Sequence, residues 1–131
     1  GQQSTLMVVT QDPDLVAKLS RMNAAVMGSK SDPFYGAPTV IIVFSDSKMG
    51  TCVENGSLVM GNLMNAAHAL GVDSCWIHRA REVFDSEEGK ELKKQWGVPE
   101  EYVGIGHCVL GYRDCEYPDA KPRKEGFVIR V

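Results

Sequence analysis

The segment from Gly56 to Leu70 most limits what this chain can become, because it reads as a helix with almost no polar face. Leu58, Val59, Met60, Leu63, Met64 and a run of alanines spread apolar surface around its whole circumference, so it has to be enclosed on nearly every side. The cover can come from the rest of the chain or from a second copy of it. Gly61, Ala66 and Ala67 are small enough to let another helix approach closely, a pattern that suits a dimer interface and equally a helix buried inside a monomer. Thr51-x-x-Glu54 predicts a capping box at the start, and Gly71 predicts the stop.

Strand and helix signals alternate around this segment. Leu6 to Val9 is a short apolar run closed by Thr10-Gln11-Asp12-Pro13, which predicts a buried strand. Asp12 is placed to cap a helix with Pro13 in its first turn, and Leu15, Leu19, Met22 and Val26 repeat at helical spacing up to Gly28. Thr39 to Phe44 is apolar on successive residues and predicts a central strand covered on both faces. Ser74 to Ile77 predicts a third strand, and Glu87 to Trp96 an amphipathic helix capped by Ser86 and stopped by Gly97. Tyr102 to Leu110 returns to strand character, followed by a Pro-containing loop and a last apolar stretch at Phe127-Val128-Ile129. The alternation predicts a three-layer α/β sandwich around one sheet, a single domain over residues 1–131.

Composition narrows the function. A chain of 131 residues with 44% hydrophobic residues can bury a real core, and a formal charge of -3 leaves no broad basic field for a nucleic-acid backbone. No run approaches the roughly 18 to 20 apolar residues of a membrane span, and no basic leader precedes an apolar segment, so a cytoplasmic location is expected. Cys52, Cys75, Cys108 and Cys115 lack disulfide-framework spacing and read as reduced thiols, mostly buried. Cys75-x-x-His78 with His107-Cys108 lies in apolar runs instead of the tight turns of a structural zinc site, and no metal is expected.

No self-contained catalytic motif is present. Gly104-x-Gly106 has Val109 where a dinucleotide fingerprint needs its third glycine, and it leads into Tyr112 and Pro118 instead of a helix. Phosphate-loop and serine-nucleophile motifs are missing. Lys121-Pro-Arg-Lys is a compact positive cluster in which Pro122 stiffens the backbone; it can present Lys121 and Arg123 to one anion, though such clusters are commonly just solvated. His68, His78 and His107 read as hydrogen-bonded, partly buried imidazoles before they read as acids or bases, and Trp76 as core before cofactor surface. Phe34 and Tyr35, beside Gly36, could line a pocket or anchor their loop.

The order of whole segments is more specific. The run from Asn55 to Ile77, then Leu110-Gly-Tyr, then Lys121-Pro-Arg-Lys, resembles the nitroreductase family in the same sequence, and so does the opening Gly1-Gln2-Gln3 before its strand. The resemblance covers essentially the whole chain. It implies an α/β (α+β) fold, a three-layer α/β/α sandwich around a mixed central sheet, in a homodimer built on long central helices with FMN at the subunit interface. No catalytic side chain is implied, because the chemistry belongs to flavin N5, with NAD(P)H as co-substrate and a nitroaromatic, quinone or similar small acceptor. The backbone at Trp76, Ile77, His78 and Arg79 is expected to pass the N5 and O4 edge, Gln3 to bond the pyrimidine edge, and Lys121 with Arg123 to hold the phosphate.

Two departures from the family pattern stand out. The family opens with a helical segment carrying an Arg-Ser-x-Arg type phosphate clamp and a Pro-Ser type loop, and neither precedes Gly1; Gly1 itself stands where the family often has Asn. A shortened chain, or flavin held by fewer charge-assisted contacts, would account for this. A flavin-binding protein without turnover, or an inactive fragment, is the alternative reading.

Overall fold

A computed structural model describes residues 2–131. Strand β1 (Thr5–Thr10) leads into helix α1 (Pro13–Met27), where the Asp12 carboxylate accepts the Asp14 N–H at 2.9 Å and Gly28 closes the helix in the left-handed region at φ 67°. Strand β2 (Thr39–Asp46) and helix α2 (Cys52–Ala69) follow, then β3 (Asp73–Ile77), α3 (Ala80–Asp85), α4 (Glu87–Gln95) and β4 (Tyr102–Gly111). Residues 112–131 form no helix or strand, and the apolar stretch Phe127 to Ile129 is exposed.

Four strands form one sheet in the order β1-β2-β4-β3, and every pairing is antiparallel where a mixed sheet was expected. The reason lies in the connections: α1 returns the chain from β1 to the neighbouring β2, and α3 with α4 return it from β3 to the neighbouring β4, while α2 crosses over from β2 to β3, which runs parallel to β2 but is kept from pairing with it by β4 between them. Alternation then sorts side chains to two faces. Leu6, Val8, Val40, Ile42, Phe44, Ile77 and Val109 face α1, α3 and α4, meeting Leu19, Phe84 and Leu92. Ile41, Val43, Val103, Cys108 and Leu110 face α2, meeting Cys52 and Met60. This is the three-layer arrangement read from the sequence, with β2 and β4 at its centre.

Glycines on β4 and α2 permit the close packing of the layers. Val43 pairs with Gly106 and Phe44 with Gly104, so Ile105 is an extra bulged residue between them. A Cβ on Gly104 would lie 2.5 Å from the Ala80 carbonyl oxygen, one on Gly106 2.3 Å from Trp76 Nε1, and one on Gly56 of α2 2.4 Å from the Ile105 side chain. Helix α3 therefore sits against bare strand backbone at Gly104, whereas α2 offers its own bare backbone at Gly56 to the Ile105 side chain of the same strand.

Helix α2 starts at Cys52, four residues ahead of the expected Gly56, and the capping box is not formed because Thr51 makes no side-chain cap bond. Backbone bonds from Met49 N–H to Asp46 O and from Cys52 N–H to Met49 O wind the preceding turn straight into the helix. Its stop is as expected: Gly71 takes φ 73° and Val72 N–H reaches back to Ala67 O. Helix α3, only six residues long, was too short to leave a periodic signal. Its successor α4 begins where Ser86 accepts the Gly89 N–H, as expected. On α4, Lys93 is buried, and its ammonium donates to the Glu100 and Tyr102 carbonyls at 2.9 and 2.5 Å, tying down the loop that feeds β4.

His107 departs from the hydrogen-bonded, half-buried imidazole expected of it. It is fully buried between Phe34 and Phe84, ring centroids 5.2 and 5.8 Å away, and neither ring nitrogen forms a hydrogen bond of normal geometry. Burial pushes its pKa down from 6.5 to about 4; the Ile77 backbone opposes this and the Arg79 charge adds to it. His68 and His78 are exposed.

Two outcomes follow from this packing. Below pH 6.5 the unfolded chain binds a proton at residue 107 that the folded chain refuses until about pH 4, so stability should fall as pH drops through that window, by on the order of 3 kcal/mol. Urea denaturation against pH should show this decline in the native chain and lose most of it in His107→Leu. Gly104→Ala should cost about 1 to 3 kcal/mol in the same assay, since the atom it strikes is backbone and cannot swing aside.

Candidate functional site

Strand β3 pairs with β4 up to Ile77, opposite His107, and the chain then turns through His78 and Arg79 into α3. Arg79 takes φ 73°, a left-handed conformation that costs a residue with a Cβ about 1 to 2 kcal/mol. Two hydrogen bonds from one side chain hold the turn there: Asn23 Nδ2 donates to the His78 carbonyl at 2.6 Å, and Asn23 Oδ1 accepts from Arg79 Nε at 3.1 Å. Asn23 is fully buried on α1, so both ends of its amide are spent on this turn, more than fifty residues away in sequence. The Arg79 N–H forms no hydrogen bond among the described residues, and α3 has no side-chain cap.

The four residues expected beside a flavin edge divide by environment. Ile77 is buried in the helix-rich core, and Trp76 turns its indole to the other face against Gly106, its Nε1 buried without a partner. Trp76 is thus core, and what the segment offers to solvent is the backbone and side chains of His78 and Arg79. Gln3, in front of β1, is exposed at φ 49°, and its side-chain amide makes no hydrogen bond among the described residues. Gly1 lies outside the described residues.

Lys121 and Arg123 lie on the exposed tail. That tail is pinned where Tyr117 donates to Asp73 at 2.9 Å and Arg113 stacks on the Tyr117 ring, and the Arg123 guanidinium sits 5.5 Å from the Phe127 ring. No hydrogen bond or ion pair joins Lys121 or Arg123 to the β3–α3 turn or to Gln3. The exposed candidates, Gln3, the 78–79 turn and the 121–123 tail, are thus not joined to one another by hydrogen bonds or ion pairs within one protomer. A cavity of about 860 Å³ lies elsewhere, between α1 and the loop 29–38, and none of the residues expected at the flavin lines it. Phe34 is buried on that loop's inner side and lines the cavity, so it anchors the loop and walls a pocket at once, whereas Tyr35 projects into solvent.

Asn23 escaped the sequence reading, although a signal existed. It stands one turn after Leu19 on the buried stripe of α1, and a polar residue on an apolar stripe demands a partner. The partner's identity was not legible, because it lies across the fold. Free thiols are split evenly, with Cys52 and Cys108 buried and Cys75 and Cys115 exposed. Burial raises the Cys108 thiol to about 11, which leaves it inert.

Comparison with known proteins follows the same outline. Solved structures that share the fold include a nitroreductase with bound FMN from Bacteroides fragilis, with TM-score 0.86 and 24% identity over 99% of this chain and 77% of that one. An FMN-dependent nitroreductase from Clostridium difficile gives TM-score 0.82 and 24% identity over 100% of this chain and 80% of that one. An iodotyrosine deiodinase bound to FMN and 3-iodo-L-tyrosine gives TM-score 0.72 and 21% identity over 97% of this chain and 76% of that one. No curated protein matches the sequence. The family model for the nitroreductases matches residues 3–112, from the flexed backbone at Gln3 through the whole of β4, and the chain therefore belongs to the nitroreductase family.

Proposed function

We propose that two copies of this chain enclose FMN and work as an oxidoreductase that takes electrons from NAD(P)H and delivers them to a small acceptor. Family membership over residues 3–112 carries this reading. The bound flavin would supply the chemistry, receiving hydride at N5 and passing it to a nitroaromatic, quinone or similar molecule that takes the place vacated by the nicotinamide.

The donor set fits such a group. A flavin ring is edged with acceptors, and the chain offers the unpartnered Arg79 N–H and the unengaged Gln3 amide. Its phosphate needs cations, and Lys121 and Arg123 stand exposed on the tail. No hydrogen bond or ion pair ties these groups together within one protomer, which leaves them free to meet a flavin held between two protomers. The chain's own part is to bind and orient through these groups; no side-chain acid or base is required of it.

Helix α2 supports the dimer. Its inner face packs on Ile105 and Val43, yet Leu58 is 70% exposed and Val53 and Leu70 are also uncovered. Met7 and Val9 on β1 add to this apolar surface on the same side of the sheet. Space remains open around Gly61, where another helix can approach. Reductive dehalogenation, the chemistry suggested by the iodotyrosine deiodinase, is a second use of the same fold. The acceptor panel below distinguishes it.

The full chain, purified with FMN, should show a flavin absorption spectrum and oxidise NAD(P)H when a nitroaromatic or quinone is present; turnover confined to halogenated phenols would favour the second use. Lys121→Ala with Arg123→Ala should weaken FMN binding about a hundredfold, read by fluorescence titration; unchanged affinity removes both residues from the phosphate. In sedimentation, the native chain should run as a dimer and Leu58→Glu as a monomer, since a charge on a buried helix contact is left without water or partner.

A further inference from the structure

We infer that Asn23 is a positioning residue for the flavin edge, acting by fixing the direction in which the Arg79 amide points. This rests on the flavin reading above. The argument itself is geometric. A trans peptide is planar, so its C=O and N–H point in opposite directions. The carbonyl of the His78–Arg79 peptide is drawn toward α1 by Asn23 Nδ2 at 2.6 Å. The N–H of that peptide therefore points away from α1, and it forms no hydrogen bond among the described residues.

Three observations make this more than a core hydrogen bond. Asn23 is fully buried, so its amide cannot drift to water as an alternative partner. Its Oδ1 accepts from Arg79 Nε at 3.1 Å, so the carbonyl before Arg79 and the side chain of Arg79 are gripped by one group. Arg79 is held at φ 73°, a conformation that persists only where its surroundings over-determine it. Without Asn23, nothing else among the described residues hydrogen-bonds the His78 carbonyl or the Arg79 guanidinium, and the peptide can rotate toward ordinary φ. A donor aimed in advance contributes more to a charge developing on a ligand than one that must first turn.

The test uses Asn23→Leu, which removes both bonds at similar volume, and Asn23→Asp, which keeps the acceptor for Arg79 but loses the donor to the His78 carbonyl. Ser20→Ala on the same helix, which loses only its bond to Asp32, is the stability control. In the flavin-free chain, the Arg79 amide resonance should move and its hydrogen exchange quicken in both Asn23 variants and stay native-like in Ser20→Ala. In the FMN-loaded chain, reduced flavin should be held about tenfold more weakly relative to oxidised flavin in both variants, a fall in midpoint potential of about 30 mV for the two-electron couple. A native midpoint in either Asn23 variant overturns the inference, as does an unmoved Arg79 amide. A native chain that takes up no FMN overturns the flavin reading instead, and the amide measurement still decides whether Asn23 sets the peptide.

Discussion

The pairing of β2 with β4 is the constraint on which the rest of the structure depends. Both strands are covered on both faces, so every residue along them has to match either the helix-rich layer or α2. The bulge at Ile105 shifts β4 by one residue midway, and this decides which side chains reach which layer. On one side of it Gly104 meets the Ala80 carbonyl, and on the other Gly106 meets the Trp76 indole. A side chain at Gly104 would push α3 off the sheet, and one at Gly106 would displace the Trp76 indole. Local backbone bareness in the central strand thus sets the position of the turn at which the candidate site is built.

That turn illustrates how a rigid frame can hold a strained conformation without a loop glycine. Arg79 is left-handed, yet it follows a paired strand, precedes a helix seated on Gly104, and is clasped by Asn23 from α1. Three elements converge on one peptide. Beside it, His107 is kept neutral by burial, and the nearby Arg79 charge further disfavours its protonation. A neutral imidazole in this place lets the aromatic layer of Phe34 and Phe84 close without a trapped charge.

Helix α2 shows the opposite condition, an element that its own protomer cannot finish covering. Its buried residues Cys52, Gly56, Met60 and Ala67 make one stripe, while Leu58 points away from the sheet. Apolar area left uncovered on a sheet-packed helix is the usual mark of an interaction surface. Gln3, the 78–79 turn and the 121–123 tail, the candidates proposed to face the flavin, are not joined by hydrogen bonds or ion pairs within one protomer, and the proposed second copy would account for both features.

Much of the frame was legible in the residues themselves. Strand periodicity, the Asp12 and Ser86 caps, and the stops at Gly28 and Gly71 are local signals, and each element they mark is present. The order of segments was enough to place the chain in its family. Non-local facts were not legible: the antiparallel sense of the sheet, the bulge at Ile105, the brief α3, the unbonded burial of His107 and the Asn23 clasp. Sequence pattern reports what a residue prefers within about one helical turn or one strand, because propensity, capping and alternation act over that distance. Partners more than fifty positions apart meet only when layers pack, and the peptide at Arg79 owes its direction to such a meeting.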